Sequence, residues 1–360
     1  VSSADLRRLF DGAPAGEPTI GVEEELMLLD AETLDLAPVA TDVLARLERD
    51  PRFKAELPAA QLELLTTPAE DLRDLAAQLR RTRRDLARAA EGIGVLAGSG
   101  AHPFAEAEGE LNPAETYRLT REEYGPVARR QLVFGLHVHL RIGGADRSLA
   151  VYNALRSYLG EIAALAANAP LHDGRDTGLA SIRPKISETL PRQGVPPAFD
   201  DLDEFAAALD WAAAAGVAPE PRMWWWELRL HPVHGTIEIR VPDQQTTVGE
   251  TVAVAGFVRS LVLDLAARYD DGEALPVHPS WRIAENRWSA ARHGLDGTIA
   301  DLETGERRPT RERLSELIDR VGADAARDLA NENGAIRQRK WAAAGGPAGA
   351  TRELTERFGA

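Results

Sequence analysis

No cysteine occurs in the chain, which excludes disulfides, thiolate metal sites and cysteine nucleophiles together. Lysine is nearly absent as well, with only Lys54, Lys185 and Lys340 against abundant arginine, a bias we read as a coding preference. No run of 18 or more apolar residues is present, so no segment is expected to span a membrane. The opening residues, VSSADLRRLF, show no basic stretch followed by an apolar one, and the expectation is a cytoplasmic protein without a secretory signal. Positive charge is in deficit too. The 42 basic and 57 acidic residues give a net charge of −15, a field that repels nucleic acid and anionic lipid. GxGxxG and GxxxxGK[ST] phosphate loops are missing, which removes Rossmann and Walker nucleotide binding, and no GxSxG elbow occurs.

What remains is a chain of 360 residues, 44% apolar and 28% charged, the composition of a globular protein with ample material for a core. No repeat or low-complexity linker divides it, and a single catalytic domain over 1–360 is expected. GVEEELMLLD (21–30) reads as a strand, and 51–68 as two extended pieces broken at Pro58. Leu72, Leu75, Ala76, Leu79, Leu86 and Ala90 recur at helical spacing and predict one long amphipathic helix over 70–91. Strands follow at 93–100 and 132–142, then an apolar helix over 146–168. Residues 169–199 carry little periodicity, and irregular segments of that length are usually functional. Two strands near 224–230 and 236–241, joined by a His-Pro-Val-His-Gly turn, precede a mostly helical remainder with a small hairpin between 297 and 309. Paired strands separated by long helices argue for an α+β protein with a mainly antiparallel sheet.

Four strand segments carry chemistry at period two. In GVEEELMLL, Glu23 and Glu25 share one face while Glu24 points away. Solvated acids on an edge strand would explain such a pair, but the apolar continuation Leu26–Leu29 suggests burial, where two like charges demand a cation. Glu63, between Leu62 and Leu64, faces away from those leucines, as an ordinary amphipathic strand would also have it. His137 and His139 share a face in LHVHL, either as surface histidines or as neutral imidazoles able to ligate a metal. Glu238 and Arg240 share a face in TIEIR, as an internal ion pair or as a metal ligand beside a phosphate clamp. Taken together, oxygen-rich ligation with one or two histidines and no sulfur suits magnesium or manganese.

These residues lie in motifs that resemble a known family. GVEEELMLLD, AHPF (101–104), GLHVHL, DTGLASIR (176–183), LPRQGVPPAF (190–199), WWWELRLHPVHGTIEIR and ENRWSAARHGLDG (285–297) are similar to the YbdK-type carboxylate–amine ligases, also called glutamate–cysteine ligase type 2. The matches run collinearly from about residue 20 to 297, and 298–360 resembles the family only as a helical tail. The resemblance implies a glutamine synthetase-like fold, a curved and mainly antiparallel sheet forming a funnel with helices outside. It implies ATP and two or more Mg2+ or Mn2+ ions as cofactors. Glu23, His137 and Glu238 would hold one metal, and Glu25 and Glu63 another. Arg240 would contact the phosphates, with His139 near ATP or substrate, and Arg183, Arg192 and Arg229 are candidates for substrate carboxylates. The implied activity joins glutamate, through its γ-carboxylate and an acyl phosphate, to an amine such as cysteine, with a homodimer as the family-level assembly.

Departures from the pattern are Arg141, Leu230 and Glu227, where a small or apolar residue, proline and aspartate are usual. Other readings are a metal-dependent amidohydrolase, a guanidino-type kinase and a catalytically silent nucleotide- or metal-binding regulator. The amidohydrolase reading fits poorly, because those barrels open with HxH and here an acidic strand precedes it. The kinase reading lacks its usual reactive cysteine.

Overall fold

The alternation of apolar and acidic residues in the first strand organises the molecule. The computed structural model describes residues 2–12, 18–218, 220 and 223–360. Strand β1 runs over Thr19–Leu29, and along it Val22, Glu24, Leu26 and Leu28 are buried against helices. Gly21, Glu23 and Glu25 occupy the opposite face, as the two-residue pleat requires. Beyond Leu26 both faces close, because Met27 and Leu29 pack with Phe134 and Leu354 in a second small core.

Around β1 assemble β2 (Phe53–Ala55), β3 (Gln61–Leu65), β4 (Val95–Ala97), β5 (Leu136–Arg141), β8 (Leu228–His231) and β9 (Thr236–Ile239). The sheet order is β2-β3-β1-β5-β9-β8, with β4 pairing the end of β1, and every pairing is antiparallel. Two hairpins stand apart: β6 (Leu171–His172) with β7 (Arg175–Asp176), and β10 (Thr298–Ala300) with β11 (Arg307–Pro309). The expected α+β architecture is the one observed. No helix among the described residues is long and apolar enough to cross a membrane.

Helices cover one face of the sheet. Leu72–Ala90 starts at Asp71, whose carboxylate accepts from the N–H groups of Arg73 and Asp74, and it buries Leu75, Leu79 and Leu86. Val248–Asp270 opens with a reciprocal Thr247–Glu250 capping box and packs on Leu72–Ala90, on Ala145–Leu155 and on β5. The helix expected over 146–168 is divided. Ala145–Leu155 and Leu159–Ala166 flank a tight turn at Arg156–Tyr158, where the buried Arg156 guanidinium reaches Pro196 O and Ser280 Oγ, at 2.9 and 2.6 Å. Two further helices, Ser3–Asp11 and Leu202–Ala214, lie outside the expected set. Their signals are Ser2 three residues before Asp5 and Asp201 three before Glu204, and both act as N-caps.

On the helix side of β1, Glu24 is completely buried. Arg83 clasps both of its carboxylate oxygens at 2.9 and 2.6 Å, with Thr251 Oγ1 and Gln244 Nε2 donating at 2.7 and 3.0 Å. The same guanidinium donates to the carbonyls of Thr246 and Phe358 and lies 4.7 Å from the Phe358 ring centroid. One buried pair thus ties β1 to two helices and to the end of the chain. Arg83→Met, which strands the Glu24 charge, is expected to lower unfolding free energy by about 3–5 kcal/mol in urea titrations. Glu24→Leu combined with Arg83→Met should recover most of that loss.

His102, in the AHPF motif, is buried as a neutral ring. Nδ1 accepts from the N–H groups of Phe104 and Ala105 at 3.1 and 2.8 Å, and Nε2–H donates to Leu34 O at 2.9 Å. Burial pushes its pKa from 6.5 down to about 4, with Asp35 opposing and His172 assisting. Because the unfolded chain takes up the proton first, stability is complete above about pH 6.5 and falls as pH drops toward 4, by ~3 kcal/mol in all. His102→Asn is expected to flatten that part of the stability–pH profile measured by chemical denaturation.

Candidate active site

The face of the sheet away from the helices carries a row of cross-strand polar pairs. Glu25 stands opposite Glu63 across β1–β3, and Glu23 opposite His137 across β1–β5. His139 stands opposite Glu238 across β5–β9, and Glu238 opposite Arg229 across β8–β9. Directly opposed side chains in antiparallel strands lie within contact range, so register alone gathers these groups. Glu23, Glu25, Glu63, His137 and Arg229 line a cleft of about 730 Å³ that also takes in Lys54, Glu56, Gln61, Arg183, Trp225, Glu227 and Arg240, and His139 and Glu238 are buried beside it.

Glu23 is the hub. Its Oε2 lies 3.1 Å from His137 Nδ1, and its Oε1 lies 3.4 Å from His139 Nε2. His137 Nε2 faces Glu25 Oε1 at 3.6 Å, and His139 Nε2 faces Glu238 Oε1 at 3.9 Å. Thr236 Oγ1 orients the His139 ring through Nδ1 at 2.9 Å. Glu25 is held by the N–H of Gly135, where an added Cβ would press on the Arg183 guanidinium.

Glu238 is wholly buried between two arginines. Arg229 grips it with both nitrogens at 2.6 and 2.9 Å, and Arg240 Nη1 reaches Oε1 at 2.5 Å. Burial opposes its charge, but Arg229 and Arg240 hold its carboxyl well below the ordinary range. Burial likewise opposes charge on Glu23, which the adjoining His137 and His139 rings outweigh, leaving it low. Glu63 goes the other way: burial, reinforced by the charges of Glu23 and Glu56, lifts it well above the usual range. Burial and then the Arg240 charge lower His137, whereas in His139 the Glu238 and Glu23 charges overcome burial and raise it.

Two three-residue groups can each offer a cation one atom apiece within a 4.8 Å spread: Glu23, Glu63 and His137, and Glu23, His139 and Glu238. The Nε2 atoms of both histidines are buried without a hydrogen-bond partner, which suits imidazole nitrogens that ligate a metal ion. The residues present therefore fit divalent cations, with oxygen predominating over nitrogen as hard ions prefer.

This grouping differs from the partition implied by the family pattern. Glu238 falls with His139 rather than His137, and Glu63 falls with Glu23 and His137, with Glu25 adjoining through His137. Of the proposed substrate arginines, Arg183 lines the cleft, donates to the carbonyls of Arg240 and Val241, and leaves Nε buried without a partner. Arg229 also lines the cleft, with its guanidinium engaged by Glu238. Arg192 lies outside the lining set, hydrogen-bonded to Met223 O and Tyr124 Oη and stacked on Trp225. Arg141 turns to Leu9 O, and Glu227 pairs with Arg287 on the helix Ser280–His293.

The irregular segment after 169 contains the β6–β7 hairpin and a single helical turn, Arg183–Ser187. Its residues Arg183, Ser187, Glu188, Leu190, Gln193 and Gly194 form one wall of the cleft. Sequence reasoning did not single out Lys54 and Glu56 on and beside β2, Gln61 on β3, or His231 and His234 in the β8–β9 turn. The scarcity of lysine was a usable signal for Lys54, and the repeated histidines of HPVHG were one for the turn.

Comparison with known proteins gives this geometry a context. The model of glutamate–cysteine ligase family 2 matches residues 19–349. A Salinispora arenicola protein named "Putative glutamate--cysteine ligase 2" is 38% identical over 352 residues, covering 93% of each chain. A Rubrobacter xylanophilus protein of similar name, numbered 2-3, is 36% identical over 319 residues, covering 87% of this chain and 86% of its own. Among solved structures, the glutamate–cysteine ligase of Francisella tularensis in complex with AMP superposes with a TM-score of 0.71 at 12% identity, over 95% of this chain and 88% of that one. A bifunctional glutathione synthetase from Pasteurella multocida gives 0.69 at 14% identity, over 99% of this chain and 53% of that one. These structures share the fold, the glutamine synthetase-like α+β class expected above. With the family model covering most of the chain, and relatives above one-third identity along nearly its whole length, the protein belongs to glutamate–cysteine ligase family 2.

Proposed function

We propose that the protein is an ATP-dependent carboxylate–amine ligase that joins the γ-carboxylate of glutamate to an amine such as cysteine. The observation that carries this reading is the pair of cation-competent groups sharing Glu23, each with a buried, unpartnered histidine Nε2. It is supported by the names of the family relatives and by the solved ligase that shares the fold. One core cluster, from Leu6 through β1 to Phe358, supports treating 1–360 as one catalytic domain.

A carboxylate is a poor acyl donor because its leaving group would be oxide. Transfer of the ATP γ-phosphoryl group to the carboxylate oxygen releases ADP and forms an acyl phosphate. The amine nitrogen then attacks the acyl carbon, the C–O bond to phosphate breaks, and the nitrogen gives up a proton. Glu23, Glu63, His137, His139 and Glu238 would hold Mg2+ or Mn2+, which when bound neutralises phosphate charge. Arg240 places a fixed positive charge beside the same carboxylate, and Arg229 keeps Glu238 ionised and aimed. Arg183 offers a further cation from the irregular wall, and that wall shields a hydrolysable acyl phosphate from water. No protein nucleophile is required.

Incubation with Mg-ATP, an amino-acid pool and candidate amines, followed by mass spectrometry, is expected to yield a γ-glutamyl amide and ADP only when both substrates are present. ADP release that needs no amine, with no amide from any pair, would sink the ligase reading. Glu238→Gln is expected to lower turnover by about 100-fold or more. His139→Gln should weaken Mn2+ binding, followed by electron paramagnetic resonance, by at least ~10-fold. Unaltered Mn2+ affinity would remove His139 from the cation site.

A further inference from the structure

Between the β2 edge of the sheet and the irregular wall, a short helix bridges the cleft. Arg118–Tyr124 has seven residues and buries none of them, so neither its length nor a packed face holds it in place. Its two ends are tied instead. Tyr117, just before the helix, donates from Oη to Ala55 O at the end of β2 at 2.6 Å. Tyr124, its last residue, accepts at Oη from Arg192 Nη2 at 2.6 Å. Tyr117, Leu119 and Thr120 line the cleft between those anchors. The helix is therefore a roof, with one end fixed on the sheet and the other on the irregular wall.

Arg192 makes the second anchor. Its Nε–H donates to Met223 O at 3.0 Å, and its guanidinium lies 5.4 Å from the Trp225 ring centroid, with the Tyr124 ring edge-on to the same indole at 5.7 Å. One side chain thus joins the roof helix, the wall and the segment that leads into β8. The backbone at Arg192 is left-handed, with φ of 57°, a conformation that a residue with a side chain keeps only where its surroundings enforce it. Its neighbours on either side are held: Gln131 Nε2 donates to Thr189 Oγ1 at 2.7 Å, and Glu227 N–H donates to Gly194 O at 3.0 Å. Arg192 itself does not line the cleft, so it is not placed to touch a substrate. We propose that Arg192 is a positioning residue that latches the roof helix through Tyr124 and Trp225, and so keeps water from the acyl phosphate until the amine attacks. This rests on the ligase reading and deepens it. Without the latch, a water oxygen attacks the acyl carbon, the C–O bond to phosphate breaks and a proton is released. Free carboxylate and phosphate return, with ATP consumed and no amide formed.

The test compares wild type with Arg192→Met, Arg192→Lys and Tyr124→Phe, supplied with Mg-ATP, glutamate and either cysteine or hydroxylamine, and measures amide and ADP together. Arg192→Met and Tyr124→Phe are expected to lower the amide-to-ADP ratio about fivefold or more. Arg192→Lys, which keeps a donor for Tyr124, recovers part of that loss. General destabilisation would lower both products alike, so a ratio that stays at the wild-type value in Arg192→Met and Tyr124→Phe overturns the proposal. Hydrogen exchange of the free protein, followed by mass spectrometry, gives a readout independent of turnover. Amides of 118–124 are expected to exchange about tenfold or more faster in Arg192→Met than in wild type, with those of β1 and β5 unchanged. Equal exchange over 118–124, or acceleration spread evenly over the sheet, overturns the latch. The expected local acceleration, combined with no amide from wild type with either amine, would fail the ligase reading alone.

Discussion

The opposition of Glu23 to His137 across β1 and β5 fixes everything else in the cleft. With that register set, the period-two pleat places Glu25 against Glu63 on one side and leaves His139 to meet Glu238 on the other. A slip of one residue would exchange the faces of β1, turning Glu24 into the cleft and Glu23 and Glu25 into the hydrophobic core. Such a slip is opposed because Arg83 pairs with one carboxylate on the helix side, and a second one turned into the core would be buried unpaired. The pair on the helix side is therefore the counterpart of the acidic row on the cleft side. A run of three glutamates divides into two roles because successive side chains of a strand point in opposite directions.

Charge in the cleft is arranged unevenly. Glu238 is surrounded by cations and kept ionised, whereas Glu63 sits among other acids, with Lys54 at 3.5 Å. The same residue type is thus held at opposite ends of its titration range within one row of side chains. A cation entering between Glu63, Glu23 and His137 would remove the repulsion that lifts Glu63, which favours the proposed metal binding. Arg229 and Arg240 supply permanent charge at Glu238, and Arg183 extends that charge from beside the Arg240 and Val241 carbonyls.

Much of this was legible before any coordinates. The ExE, HxH and ExR segments announce one-sided strands, because polar groups at spacing two within apolar residues have a single physical solution in a sheet. Collinear motifs then pointed to the family. Other features were hidden for definite reasons. Glu56 and Gln61 are one acid and one amide at the two ends of an apolar connection, and only the fold brings both to the cleft beside Glu63. The helix expected over 146–168 broke because Arg156 found carbonyls and a hydroxyl far along the chain, which no local periodicity records.

The chain by itself determined the absence of thiol chemistry, the antiparallel α+β class and which side chains share each strand face, since composition and two-residue alternation are local properties. Tertiary structure decided the partnerships. Which acid meets which imidazole depends on strand order and register: Glu238 lies beside His139 because β9 pairs with β5 at that position. It also decided that Arg229 is committed to Glu238 while Arg183 faces the cleft, because a guanidinium's role follows from the carboxylates and carbonyls folded around it.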